Sequence, residues 1–265
     1  ASTAVFLALV LGLLLSLLGL CRLDGLIWAL GSTQTIYPYA REYAGYILVG
    51  APVMVLAFTL NNLLRWQGKA RLAVIGLTTG GVLNIILDPL FIFGFHMGTR
   101  GASLATFLSQ CVGVSILAAF FLTGHSDIPV SLSRVARGWR TYGEILRQGV
   151  PSFFRNAMLS VSTMVLNYNA RIYGDAAVAA MSIVTKVFNF LQSVIIGFGQ
   201  GLQPVFGYNY GAGKLGRVRR GIIFAVKTYT CVLTVGAVLG YLGAPQIIQA
   251  FRDDPDVIAI GVQAF

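Results

Sequence analysis

The feature that most constrains this chain is the run from Leu72 to Phe95. It is apolar over about twenty residues, long enough to cross a bilayer as one helix, yet it is interrupted by one acid, Asp88. Asn84 stands four residues earlier, so a helix carries both side chains on one face as a polar patch in an apolar segment. Pro89 follows at once. Proline removes a backbone donor and crowds the carbonyl four residues back, so the helix should kink here and leave a carbonyl free near the carboxylate. An ionisable group in hydrocarbon is expensive and persists where it handles an ion, a proton or a charged substrate. The plainer reading is an Asp-Pro turn tied to a neighbouring helix.

With 56% hydrophobic and 11% charged residues and a mean hydropathy of +0.77, the chain is more apolar than a soluble domain. It reads as an all-α polytopic membrane protein. A net charge of +10 suggests nucleic acid in a soluble protein, but here the charges must first be placed by topology. Eleven of the nineteen Lys and Arg fall in three short stretches two spans apart: Arg65 to Arg71, Arg134 to Arg147 and Lys214 to Arg220. The loops between them hold fewer bases and, at Asp175 and over Asp253 to Asp256, acids. By the positive-inside rule the three stretches face the cytoplasm, and the charge reports orientation rather than a nucleic-acid partner. Cys21, Cys111 and Cys231 stand apart with no metal-ligand spacing, which argues against a metal site or a disulfide framework.

Seven spans and the start of an eighth are expected: 3–20, 43–64, 72–95, 102–122, 150–172, 176–208, 221–251 and from 257 onward. Between the fourth and fifth, Arg134, Arg137 and Arg140 recur every third residue, a spacing that predicts an amphipathic linker helix on the inner face. Pro204 is expected to break the inner end of the sixth span. The chain begins without Met and stops just inside a new apolar run, and so reads as a piece of a longer protein.

Lys186 is the deepest base, and Asn156, Asn189, Gln200 and Gln203 are further polar groups inside spans. The segment Gly207 to Gly213 lacks the preceding strand and the Lys-Ser/Thr ending of a phosphate loop, so nucleotide binding is rejected. A membrane-embedded enzyme needs a paired nucleophile and base or a metal-ligand set, and neither is visible. No cofactor is expected.

Several motifs together resemble the multidrug and toxic compound extrusion (MATE) family, in its MepA-like bacterial branch. They are Asn61-Asn62-Leu-Leu-Arg-Trp-Gln-Gly-Lys-Ala70, Asn84-Ile-Ile-Leu-Asp-Pro-Leu-Phe-Ile-Phe-Gly94, Gly101-Ala-Ser-Leu-Ala-Thr-Phe-Leu-Ser-Gln110, and Ile196 to Pro204 with Tyr208-Asn-Tyr-Gly-Ala212. The resemblance covers essentially the whole chain. It implies part of a twelve-helix, two-lobe fold of the MOP superfamily. On that reading residues 1–125 are an N-lobe part (helices 3 to 6), 126–148 the cytoplasmic linker helix, and 149–265 a C-lobe part (helices 7 to 9 and the start of 10).

The resemblance further implies a secondary antiporter of a bacterial inner membrane, working as a monomer. Inward Na⁺ or H⁺ would drive export of small organic compounds, often cationic. Family members with an N-lobe coupling site hold the cation or proton with an Asn on helix 4, an Asn-x-x-x-Asp pair on helix 5, a Thr on helix 6 and an Asp on helix 1. Asn61, Asn84, Asp88 and Thr106 match the first four, and the helix 1 acid falls outside this chain. Asn156, Lys186, Asn189, Gln200 and Gln203 would line a C-lobe substrate cavity. The alternative within the superfamily is a lipid-linked oligosaccharide flippase, whose pyrophosphate needs a cationic cavity; Arg155 and Lys186 do not form a cluster in the sequence.

Overall fold

The structure, a computed structural model, describes residues 1–29, 34, 37–136, 138–171, 173–251 and 254–264. Arg137 of the linker, most of the segment between 30 and 36, Asp253 and the side chain of Asp175 lie outside the described residues. Among those described there are nine α-helices and no strand. They are α1 (Ser2–Cys21), α2 (Leu23–Ala29), α3 (Tyr37–Trp66), α4 (Ala70–Pro89), α5 (Gly98–Leu122), α6 (Trp139–Arg171), α7 (Asp175–Gly211), α8 (Leu215–Phe251) and α9 (Pro255–Ala264). A chain in lipid must satisfy its backbone groups within each segment, which is why the apolar runs are helical throughout.

Among the described residues six helices are long and apolar enough to cross a membrane: α1, α3, α4 with the turn after it, α5, α7 and α8. The expected fifth span lies within α6, a helix of 33 residues that does not stand with those six; Arg140, Glu144, Arg147 and Arg155 fall in its first half. The expected start of an eighth span is α9, ten residues long.

Two expectations need correction. The linker is not one helix over 126–148: it holds a single 3₁₀ turn, Leu132–Arg134, and the α-helix starts only at Trp139. Gly124 turns the chain at φ +78, and Pro129 has no N–H to give. Three backbone donors of the segment bind side chains of other elements. Asp127 N donates to Gln67 Oε1 at 2.9 Å, Ser131 N to Ser2 Oγ at 3.2 Å, and Ala136 N to Thr3 Oγ1 at 3.0 Å. Pro204, in turn, does not end its helix: α7 continues through it to Gly211. A proline in a membrane helix is tolerated where neighbouring groups satisfy the backbone it frees.

The chain divides into two compact units, 1–143 and 144–265. In the first, α1 packs on α3, α3 on α5 and α5 on α4, around a core of Ala57, Leu60, Leu64, Ala73 and Leu117. Small residues let the helix backbones approach. A Cβ on Gly12 would stand 2.6 Å from Pro52 Cα, and one on Gly80 would stand 3.1 Å from the Ser109 carbonyl oxygen. The side chains left on the outside are themselves apolar: Leu13, Leu17 and Leu18 of α1 are all more than half exposed, as a lipid-facing surface requires. In the second unit α7 packs on α8 and α9, and Ala180, Ile183, Ile248 and Val257 form the core.

Polar contacts tie the two ends of the first unit differently. At the end carrying Lys69, the Lys69 ammonium binds the Asp127 carboxylate at 2.6 Å and the His125 carbonyl. Ser2 and Thr3 meet the linker at this same end. At the other end Asp24 accepts hydrogen bonds from the Tyr37 hydroxyl at 2.6 Å and Arg41 Nε at 3.0 Å, while Trp28 stacks on Tyr37. The grouping agrees with the alternation of basic loops, the Lys69 end being cytoplasmic by the positive-inside rule.

Two outcomes follow. Gly12→Val should lower stability by about 1–3 kcal/mol through overpacking against Pro52, seen as a lowered midpoint in thermal unfolding of the purified protein. The second concerns pH. The Tyr37 hydroxyl first, and Arg41 second, hold the Asp24 carboxyl below its usual range. A depressed folded pKa contributes stability above the unfolded value of about 4 and loses it as pH falls through the folded value. Acidification below about pH 4 should therefore loosen α2 from α3 and change Trp28 fluorescence, and Asp24→Asn should abolish that acid-dependent change.

Candidate functional site

In the first unit α4 and α5 bring three polar side chains together. Asn84 Nδ2 donates to Asp88 Oδ1 at 3.2 Å and reaches Thr106 Oγ1 at 3.4 Å, and the Thr106 hydroxyl donates to the Ala102 carbonyl at 3.0 Å. Asn84 and Asp88 meet because they are one turn apart on α4. Thr106 comes from the neighbouring helix and meets them because the helices cross closely. All three are half-buried. Among the described residues Asn84 alone donates a hydrogen bond to the Asp88 carboxylate, so most of its acceptor capacity remains for a proton or a cation.

The backbone after Asp88 is irregular in the expected place. Pro89 has no N–H for the Ile85 carbonyl, and the chain widens into a π-helical turn at Leu90–Gly94. The next donors reach further back than an α-helix allows: Phe95 N binds the Leu90 carbonyl and Met97 N the Phe91 carbonyl, each at 3.0 Å. Such bulges recur at functional sites in helices. Gly101 lies against this turn, where a Cβ would stand 2.9 Å from the Phe91 carbonyl carbon and oxygen. The trio is thus flanked by two backbone approaches, Gly80 on Ser109 and Gly101 on Phe91. Gly101 is one of several small residues in this helix, with Ala102, Ser103 and Ala105 after it, and nothing local in the sequence marks which of them bears the contact.

Asn61 is placed elsewhere. It is 2% exposed, and its Nδ2 donates to the Ala73 carbonyl at 2.9 Å. Ala73 precedes Asn84 by eleven residues, about 16 Å along a helix. Asn61 therefore fastens the α3–α4 hairpin and does not join the trio.

In the second unit Lys186, Asn189, Gln200 and Gln203 fall on one stripe of α7 by helical spacing. Lys186 is exposed, with Nζ 5.9 Å from the Phe251 ring centroid, within range of a cation–π contact. Asn156 is on α6, exposed, its carbonyl accepting the Ser160 hydroxyl at 3.1 Å. None of these five lines the cavity between α7 and α8. That cavity, about 380 Å³ between α7 and α8, is walled by Phe188, Leu191, Ile195, Leu233 and Gly236, with Gln192 as its polar group. Gln192 stands about 60° round the helix from Asn189 and about 20° from Gln203, so it belongs to the edge of the same polar stripe and is the residue of that stripe that reaches this cavity wall. Among the described residues no group of His, Cys, Asp and Glu is placed to hold a metal ion.

The sequence pattern of the MatE family matches residues 1–90 and 151–265. Among curated proteins the chain is similar to the multidrug export protein MepA of Staphylococcus saprophyticus, 28% identical over 260 residues, covering 98% of this chain and 57% of that protein. Against MepA of Staphylococcus aureus strain MSSA476 the identity is 26% over 258 residues, covering 97% and 57%. The chain thus spans 57% of the length of these relatives. Among solved structures it is similar to a MOP superfamily transporter from Pyrococcus furiosus, with a TM-score of 0.91 and 26% identity, covering 98% of this chain and 59% of that one. A multidrug resistance MATE family transporter in the outward-facing conformation gives a TM-score of 0.90 at 25% identity, covering 99% and 59%.

The different placements of the two asparagines separate their expected effects. Asn61→Ala should cost about 1–3 kcal/mol of stability, as the loss of a buried hydrogen-bonding group does. The half-buried Asn84→Ala should cost clearly less. Thermal unfolding of both variants checks this, and equal losses would contradict the separation.

Proposed function

We propose, from the premise that this chain belongs to the MatE family, that the whole protein is a secondary transporter. It exports small organic compounds from a bacterium across the cytoplasmic membrane, as a monomer, in exchange for inward Na⁺ or H⁺. The observation that carries this reading is the Asn84–Asp88–Thr106 trio: one carboxylate in an apolar helix, half-buried, held from one side by an amide. The names of the relatives support the export of drugs.

In this reading Asp88 is the group loaded and unloaded. An ionisable group in an apolar segment persists where it handles an ion or a proton, so a change of its surroundings changes what it holds. Asn84 lends its amide proton to the charged form and turns its own oxygen to a bound cation. Thr106 Oγ1 and the carbonyl left without a donor by Pro89 are further oxygens at the same level of α4 and α5. A hard monovalent cation or a proton suits such an all-oxygen set. Transport then requires that ion and drug favour different conformational states, since a ligand of equal affinity for both shifts neither.

Asn61 acts in this scheme as a strut. In the second unit, the α7 stripe of Lys186, Asn189, Gln200 and Gln203, with Asn156 of α6, is the polar lining offered to substrate. The Gln192 cavity is an apolar recess for a flat hydrophobic group.

Asp88→Asn keeps the size of the side chain and one acceptor oxygen and removes its charge. The variant of the full-length protein should reach the membrane at parental level and lose ion-driven ethidium export in everted vesicles by at least about tenfold, the loss expected for a change of about 1.4 kcal/mol in ion binding. Unchanged export by this variant would end the assignment. Separate Na⁺ and pH gradients identify the coupling ion.

A further inference from the structure

The turn after α3 takes hold of the chain that leaves α5. α3 ends at Trp66, and a glycine in the left-handed region closes it: Gly68, at φ +77, donates its N–H to the Arg65 carbonyl at 2.9 Å, and Lys69 N reaches the Leu64 carbonyl at 3.0 Å. Gln67 and Lys69 stand on either side of that glycine, and both side chains reach one short segment. Gln67 Oε1 accepts from Asp127 N at 2.9 Å and from the Ser126 hydroxyl at 3.0 Å, while Gln67 Nε2 donates to the Leu63 carbonyl at 3.0 Å. Lys69 Nζ binds the Asp127 carboxylate at 2.6 Å and the His125 carbonyl. Asp127 is thus gripped through its backbone and its side chain at once.

Farther along, Ser131 N and Ala136 N are held by the Ser2 and Thr3 hydroxyls. The stretch from His125 to Ala136 is therefore tied to the first unit at both ends, and two residues, Arg137 and Gly138, separate it from α6. α6 itself starts inside the first unit, which extends to residue 143, and its Trp139 and Tyr142 line one recess with Phe6 and Val10 of α1. Without the ties, all of 123–138 would join α5 to α6. The chance that two joined elements meet falls roughly as the −3/2 power of the length between them. Lengthening the connection from two residues to about sixteen thus dilutes the start of α6 by on the order of tenfold.

We propose that Gln67 and Lys69 are positioning residues of the transport cycle. By clasping Asp127 they keep the connection to α6 short, so that this helix starts from a fixed place on the unit that carries the Asn84–Asp88–Thr106 trio. The geometry of the clasp stands by itself, while its consequence for export rests on the transport reading. Neither residue acts on the trio directly, since Lys69 precedes Asn84 by fifteen residues, about 22 Å along a helix. A loosened clasp therefore slows the cycle without altering how ion or substrate is bound.

The test uses the full-length protein in everted vesicles, whose outer surface is the cytoplasmic face. Endoproteinase Asp-N cuts before aspartate, and the bond before Asp127 is the one whose N–H Gln67 holds. Gln67→Leu combined with Lys69→Met should speed that cut by at least about tenfold, the factor expected for losing one hydrogen bond to a charged group. The same variant should lower the maximal rate of ion-driven ethidium export about fivefold and leave the half-saturating ethidium concentration unchanged. Lys69→Arg keeps donors for the carboxylate and the carbonyl and should match the parent in both assays. An unchanged cut in the double variant overturns the clasp, and a faster cut with parental export overturns its role in the cycle. If the double variant does not reach the membrane, Lys69→Met alone is read in the same two ways. A parent without export would end the transport reading, and cleavage before Asp127 then decides the clasp by itself.

Discussion

The first unit depends on how closely α4 and α5 cross. Gly76 and Gly80 of one helix face Gly113 and Ser109 of the other, and Cβ atoms on Gly80 or Gly113 would stand 3.1 Å from a carbonyl oxygen across the interface. Lipid tails are as apolar as leucine, so helices in a bilayer gain little from burying oil against oil and much from close backbone contact. Asn84 is one turn beyond Gly80, and Thr106 is one turn before Ser109. The same crossing that joins the helices therefore sets an amide opposite a hydroxyl. Ser109 itself carries a buried hydroxyl with no hydrogen-bond partner among the described residues, a cost that leaves it acting there chiefly as a small residue.

Beyond Asp88 the helix cannot remain regular, because Pro89 withholds a donor. The π-turn at Leu90–Gly94 is how the chain absorbs that loss, and Gly101 is where α5 makes room for it. A carboxylate beside a widened helical turn, supported on both sides by tight backbone contacts, is well positioned and only half covered. Those two properties suit a group that must be held in place and still be reached.

The linker shows a different use of backbone groups. Three of its backbone donors bind Gln67, Ser2 and Thr3, so it straps the inner ends of α1 and the α3–α4 hairpin. An arginine every third residue looks helical in sequence, but the spacing says only that the basic groups recur. Gly124, Pro129 and the waiting side-chain acceptors decide the conformation. α6 was likewise legible as a helix, but the span expected over 150–172 does not stand with the six apolar helices, since its polar groups are spread through its length rather than gathered on a loop.

By itself the sequence determined what a single helix can determine. Length and hydropathy set the spans, the distribution of lysine and arginine set their direction, and an interval of four residues put Asn84 and Asp88 on one face beside a proline. Those signals are local, so they survive without knowledge of partners. The tertiary structure alone decided what lies across from each face. It brought Thr106 to Asn84, held Asn61 at the far end of α4 against Ala73, set Lys186 over Phe251, and set Gln192, at the edge of the polar stripe, in the wall of the α7–α8 cavity. The register between helices is fixed by which small residues meet, and glycines of equal appearance in the sequence differ only in what stands opposite them.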